Sequence, residues 1–322
     1  MDHRTTPEGG TINRSWLPSW LTWLTGAAIL VALACQVGAD SFLKALDGIG
    51  IGAVLAALAI TAYTTWCSAC RWSLLAHRLH VGLSLASACR AYYRAQFLNA
   101  TLPGGVVGEV DRAIWHGHSS RAMAKGIQSV LWDRISGQVV LFGLVLITTP
   151  VLAPSVRIWM LWMLGAAAIV VLVAYTINSR LVRAFWAEVR DVPAAPGVWA
   201  AVLLLSTLAI AGHVTVFIVA ARSVGVTAPT LELVPLGLVI LQASAIPLGP
   251  AGWGPREGAA TLVFSAAGLG ASAGLAVSVA YGVLATLATL PGALALRRRQ
   301  TADPPASGSK GGPSWASAPS QS

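Results

Sequence analysis

Six apolar runs, near 17–38, 49–70, 129–152, 157–177, 198–221 and 271–296, are each long enough to cross the roughly 30 Å of a bilayer's hydrocarbon as a helix. A chain carrying such runs needs lipid to cover them, so the expected fold class is an all-α polytopic membrane protein. Composition agrees: 56% of the 322 residues are hydrophobic and 10% charged, whereas a soluble domain carries about a quarter charged residues. A soluble enzyme and a largely disordered chain are both excluded. The polar segment 1–16 contains Pro7 and resembles no signal peptide. It reads as a cytoplasmic N-terminal segment ahead of a retained span.

Two further apolar stretches cross less comfortably. Leu83–Leu102 carries Arg90 and Arg94 one helical turn apart, which a lipid-facing span does not tolerate. Ala259–Gly270 has twelve residues and reaches only about 18 Å as a helix. Six spanning helices plus two re-entrant or broken-helix pairs are therefore expected, or eight helices if these stretches also span.

The net charge of +9 reflects 21 Lys and Arg against 12 Asp and Glu. In a membrane protein this points to basic loops beside anionic cytoplasmic lipid and not to nucleic acid. With the N-terminus inside, only Lys44, Arg157 and Arg222 fall in outer loops; Arg256 lies on the second re-entrant loop and the other seventeen lie inside. A multi-pass protein of the plasma (inner) membrane with both termini cytoplasmic follows. Residues 297–322 begin with Arg297–Arg299 and continue as Ser, Gly, Pro and Ala, the composition of a disordered tail.

A repeat underlies these runs. Pro103 through Arg112 reads PGGVVGEVDR, and Pro247 through Glu257 reads PLGPAGWGPRE. At a spacing of 144 residues Pro103 falls on Pro247, Gly105 on Gly249, Gly108 on Gly252 and Arg112 on Arg256. Regions 17–152 and 157–296 thus read as two membrane repeats. Each holds an odd number of spans, so the second inserts upside down and the two loops meet near the midplane, as in transporters with inverted repeats.

Irregular backbone survives at membrane depth only where protein packs around it or it lines a polar cavity. Pro103, Gly104, Gly105, Gly108, Gly249, Gly252 and Gly254 would break the helices and supply the turns. Backbone N–H groups at the half-helix starts can bind an anion, and the Arg112 and Arg256 guanidiniums suit a phosphate or carboxylate. Glu109, Asp133 and Glu257 each lie close to an arginine in sequence, which leaves two roles open: neutralising a buried cation, or relaying a proton or ion.

Other signals are bland. Cys67-x-x-Cys70 with His77 and His80 is too tightly spaced for a zinc finger and continues an apolar helix, so no metal is expected. His116 and His118 read as solvated residues near the inner surface, and Gly270-x-x-x-Gly274 as a tight helix crossing within the chain. Most tryptophans fall at span ends, Trp253 inside the second loop being the exception. No catalytic motif is present, and neither enzyme activity nor a cofactor is expected.

The segments NATLPGGVVGEVDR (Asn99–Arg112), VLWDRISG (Val130–Gly137) and PLGPAGWGPREGA (Pro247–Ala259) resemble the lysylphosphatidylglycerol synthase transmembrane family of flippase-like membrane proteins, over about residues 17–296. Val107 and Glu109 depart from the Gly and Asp usual in that family's first motif. The resemblance implies a membrane part that flips a phospholipid; the soluble domain that makes aminoacylated lipid is absent, so lysyl transfer is not expected. Asn99 and Arg134, within these motifs, join the candidate binding residues. The function expected is flipping or transport of an anionic phospholipid or lipid-linked phosphate. The alternatives are a membrane-bound enzyme or accessory subunit acting on lipid-linked sugars, and a non-transporting scaffold.

Overall fold

The computed structural model describes residues 47–102, 105–152, 154, 157–158, 196–246 and 252–297. The expected span 17–38, all but the first two residues of 157–177, both terminal segments, and Pro103, Gly104 and Gly249 lie outside the described residues. Among the described residues all regular structure is helical. The first group is α1 (Ile51–Arg78), α2 (Leu85–Thr101), α3 (Val107–Ser119) and α4 (Met123–Thr148), closed by a 3-10 turn at Thr149–Val151. The second is α5 (Pro196–Ser223), α6 (Thr230–Ser244), α7 (Pro255–Ala266), α8 (Ala271–Thr289) and α9 (Pro291–Arg297).

Four of these segments are long and apolar enough to cross a membrane: α1, α4, α5 from Gly197, and α8 continued through α9 to Leu296. They answer to the expected spans at 49–70, 129–152, 198–221 and 271–296. The helices α2, α3, α6 and α7 have 17, 13, 15 and 12 residues, so at 1.5 Å per residue none exceeds about 26 Å. Pro235 and Glu232 break the apolar pattern of α6, and no helix is expected there from sequence. Pro235 sits in its second turn, where the missing N–H removes one backbone hydrogen bond and the helix continues.

The order long, short, short, long occurs twice. Pro196 and Thr230 start their helices 145 residues after Ile51 and Leu85; Pro255 and Ala271 start theirs 148 after Val107 and Met123. The packing follows the same exchange. The long helices α1 and α5 pack on each other, and each remaining neighbour pair has a counterpart when the halves are swapped: α3 on α4 with α7 on α8, α2 on α3 with α6 on α7, α1 on α8 with α5 on α4. The core forms two clusters, one around Phe217, Leu233, Ile240 and Phe264 that also takes in Ala57, Leu141 and Val145, the other around Trp72, Leu75, Val130 and Trp132 with Val198 and Val202 of α5. Leu55, Leu131, Val139, Leu203 and Leu204 are exposed on the outer helix faces, where only lipid would cover them.

Small residues set the helix crossings. A Cβ on Gly126, in the first turn of α4, would overlap the backbone of Gly117 on α3; one on Gly274, in the first turn of α8, would overlap Ala260 on α7. Gly274 therefore serves a crossing within the chain. By contrast, nothing lies within 4 Å of a Cβ built on Gly143. Overpacking costs about 1–3 kcal/mol, while Gly-to-Ala in an open helical position gains up to about 1 kcal/mol. Gly126→Ala should accordingly lower the melting temperature of the detergent-purified protein, and Gly143→Ala should hold or raise it.

Candidate functional site

Polar residues at helical spacing on α1, Thr61, Ser68 and Arg71, turn one stripe of an otherwise apolar helix inward. Facing them across the bundle are Arg134 and Gln138 of α4 and Ser206 and His213 of α5. The result is a cavity of about 380 Å³ that takes residues from both halves. Gly105 and Glu109 of the first loop region line it, and so do Ser244, Ile246 and Gly252 of the second. The two glycine-rich regions, far apart in sequence, border one chamber.

Among the described residues, a group of buried charges stands beside this chamber. Asp133 has no exposed surface and accepts hydrogen bonds from Arg71 Nε at 2.9 Å, from Arg112 Nη2 at 2.9 Å and from the Tyr92 hydroxyl. Arg71 Nη1 donates to Ser206 Oγ at 2.9 Å. The Arg112 guanidinium carbon lies 4.0 Å from the centre of the Tyr92 ring and 4.5 Å from that of Trp72, so aromatic faces cover a cation that is only 2% exposed. Its Nε and Nη1 have no hydrogen-bond partner. Three positive or negative ends from three helices thus share one desolvated volume, and a single carboxylate balances two guanidiniums.

Glu109 makes a different pairing from the one sequence proximity suggests. It accepts from Arg134 Nη2 at 2.7 Å and from Asn99 Nδ2 at 2.7 Å, whereas Arg112, three residues along, turns to Asp133. Asn99 Oδ1 accepts the Gly108 N–H at 2.7 Å, so this one side chain caps the start of α3 and ties it to the last turn of α2. A Cβ on Gly108 would overlap the Ala95 backbone, which is why that turn approaches so closely. Arg94 pairs with Asp111 on the same α2–α3 hairpin.

In the second half, Gly252 and Gly254 adopt φ of 76° and 96°, a region that side chains rarely occupy. Pro255 then opens α7, and Glu257 at its third position accepts the Gly254 N–H at 2.5 Å. Arg256 donates from Nη2 to Glu257 Oε1 at 2.8 Å and from Nε to Ser278 Oγ at 3.1 Å. Its guanidinium carbon stacks 4.5 Å from the Trp253 ring, which gives the tryptophan placed in the loop a packing role. Arg256 is 1% exposed and does not itself border the cavity; Tyr281, 5.5 Å from that carbon, forms the wall there.

Of the residues expected at the site, Arg112, Arg134, Asn99, Gly105, Glu109 and Gly252 border the cavity. Asp133, Gly108, Gly254, Arg256 and Glu257 are not among the residues that line it. Arg71, Trp72, Tyr92, Ser206, Ser278 and Tyr281 are not legible as site residues in the sequence. Arg71 follows directly on a run expected to end at residue 70; the threonine and serine stripe leading to it was the available signal. His116 corrects an expectation. It is buried, 5.3 Å ring to ring from Trp72, because α3 packs that face inward, while His118 is exposed.

Removing one member of a buried ion pair typically costs about 3–5 kcal/mol, because the partner charge stays buried. Asp133→Asn is expected to lower stability on that scale in detergent melting curves, and adding Arg71→Met should recover part of the loss. Asp111→Asn, on a pair about a quarter exposed, should cost no more than about 1 kcal/mol.

No curated protein matches the chain. The model of the family described as lysylphosphatidylglycerol synthase TM region matches residues 19–292, nearly the whole length. The chain therefore belongs to the lysylphosphatidylglycerol synthase TM region family, and is a multi-pass membrane protein related to lipid handling.

Proposed function

We propose that this protein binds the headgroup of an anionic phospholipid or lipid-linked phosphate in the cavity between its two loop regions and moves it across the bilayer. The observation that carries this reading is the charge of the chamber. Arg71, Arg112 and Arg134 face it, against Glu109 on the wall and Asp133 immediately behind, so one positive charge is left over. A surplus cation at membrane depth is costly unless an anion joins it. Arg112 and Arg134 would meet the phosphate, with Asn99 and the backbone around Gly105 and Gly252 beside them; Arg256 would hold the second loop in shape through Glu257.

The architecture is taken to be an inverted repeat of six spans and two re-entrant pairs, 17–152 and 157–296, in the plasma membrane with both termini cytoplasmic. Support comes from the exchange of packing between the halves and from four helices too short to cross alone. A scaffold whose loops closed on each other would need no chamber, so the open volume of about 380 Å³ favours movement of a ligand over that rival.

The full chain reconstituted into liposomes with a labelled anionic phospholipid is expected to expose inner-leaflet headgroups to an impermeant quencher faster than protein-free liposomes. A hydrogen bond to a charged group is worth about 1.5–3 kcal/mol, so Arg134→Gln, on a partly exposed side chain, and Arg112→Lys should each slow exposure about tenfold or more. Rates unchanged in both variants would remove these arginines from the path.

A further inference from the structure

Four turns between consecutive helices share one hydrogen-bond pattern. After α1, α3, α5 and α7, the N–H of His80, Arg121, Gly225 and Gly268 bonds a carbonyl three residues back and the next N–H bonds one five back, which closes each helix through a left-handed residue. The four φ angles are 58°, 53°, 83° and 76°. His80 and Gly225 stand 145 residues apart, and Arg121 and Gly268 147, so the same two turns recur in each half. Glycine takes this conformation freely, whereas a Cβ crowds the backbone. The second half has glycine at both positions. The first half has a histidine and an arginine there, at a conformational cost that glycine would remove.

The fold draws nothing from those two side chains. Both are exposed, and among the described residues neither has a hydrogen-bond or charge partner. The two turns adjoin, since Ala122 packs against the cluster that holds Leu79, Val81 and Leu83. Arg78, Arg90 and Lys125 lie close to them in sequence, and among the described residues none of the three meets a carboxylate, whereas Arg71, Arg94, Arg112, Arg134 and Arg256 all do. Leu85 and Met123, the first residues of α2 and α4, are exposed beside these cations. Helix α1 has 28 residues and spans about 42 Å, more than the roughly 30 Å of hydrocarbon, and its excess lies past the apolar run, at this end. Cations at headgroup level next to exposed apolar side chains suit a bilayer surface; an acidic protein partner would need the cations alone.

We propose that the end of the molecule formed by the α1–α2 and α3–α4 turns is a binding surface for the phosphate groups of anionic lipids in the adjoining leaflet, with His80 and Arg121 as its fixed contacts and Arg78, Arg90 and Lys125 around them. None of these residues lines the chamber, so the surface is separate from it. The left-handed backbone is retained because a glycine there would leave no side chain to meet the lipid.

The full chain reconstituted in phosphatidylcholine bilayers, with trace spin-labelled phosphatidylglycerol or phosphatidylcholine, tests this through the fraction of each label that the protein immobilises. The wild type should prefer phosphatidylglycerol at low salt, and the preference should fade near 1 M salt, where charges are screened beyond about 3 Å. His80→Gly with Arg121→Gly should reduce the preference about fivefold. The same variant should melt at or above the wild-type temperature, because the strain is gone. Arg121→Lys should keep the preference and gain no stability. An unaltered preference in the double glycine variant overturns the proposal. So does a double variant that melts below the wild type, since the side chains would then serve the fold. Polyglutamate bound by the wild type and not by the double variant, with the lipid preference unaltered, would overturn it in favour of an acidic protein partner.

Discussion

A carboxylate held between two guanidiniums in a volume without water is stable only while all three stay together, and the first half of this protein is arranged around that condition. Taking each ion out of water costs several kcal/mol, and the mutual attraction offsets this only when the geometry is good and the remaining polar atoms are bonded. Asp133 of α4 meets the condition by drawing in Arg71 of α1, Tyr92 of α2 and Arg112 of α3, with Ser206 of α5 holding the far end of Arg71. Side chains from five helices meet in this one cluster. The cluster fixes where the α2–α3 hairpin sits, and through it where the chamber opens.

Among the described residues the second half has no equivalent charge centre. The spacing of 148 residues between α4 and α8 would put Tyr281 where Asp133 stands, and Arg256 beside it is already paired with the adjacent Glu257. The polar contribution of that half to the cavity is Ser206, His213, Ser244, Tyr281, Thr286 and Thr289, beside apolar side chains. Two halves with the same order of helices thus differ in chemistry: among the described residues, the Arg and Glu side chains on the cavity wall all come from the first half.

The membrane class and the four described spans were legible in the sequence, because hydrophobic length is a local property. The spacing of 144 residues between the motifs foreshadowed helix starts that recur at 145 and 148. Helix α6 escaped notice since Pro235 and Glu232 interrupt its apolar run, though neither stops a helix when placed in its first two turns. Arg71 escaped because the apolar run ahead of it ends just before it, while the helix runs on to Arg78.

Ion pairing shows most clearly where local information ends. Proximity along the chain suggested Glu109 for Arg112 and Asp133 for Arg134; the folded protein pairs Glu109 with Arg134 and Asp133 with Arg112. Which acid meets which arginine depends on how α3 lies against α4, and that crossing is set by backbone contact at Gly117 and Gly126. The sequence by itself determined that the chain lives in lipid, where its helices break, and which charged residues lie near those breaks. Only the tertiary structure decided which charges are neutralised, which one faces the chamber unbalanced, and that His116 is buried, because burial and partnership are properties of packed helices and not of neighbours along a chain.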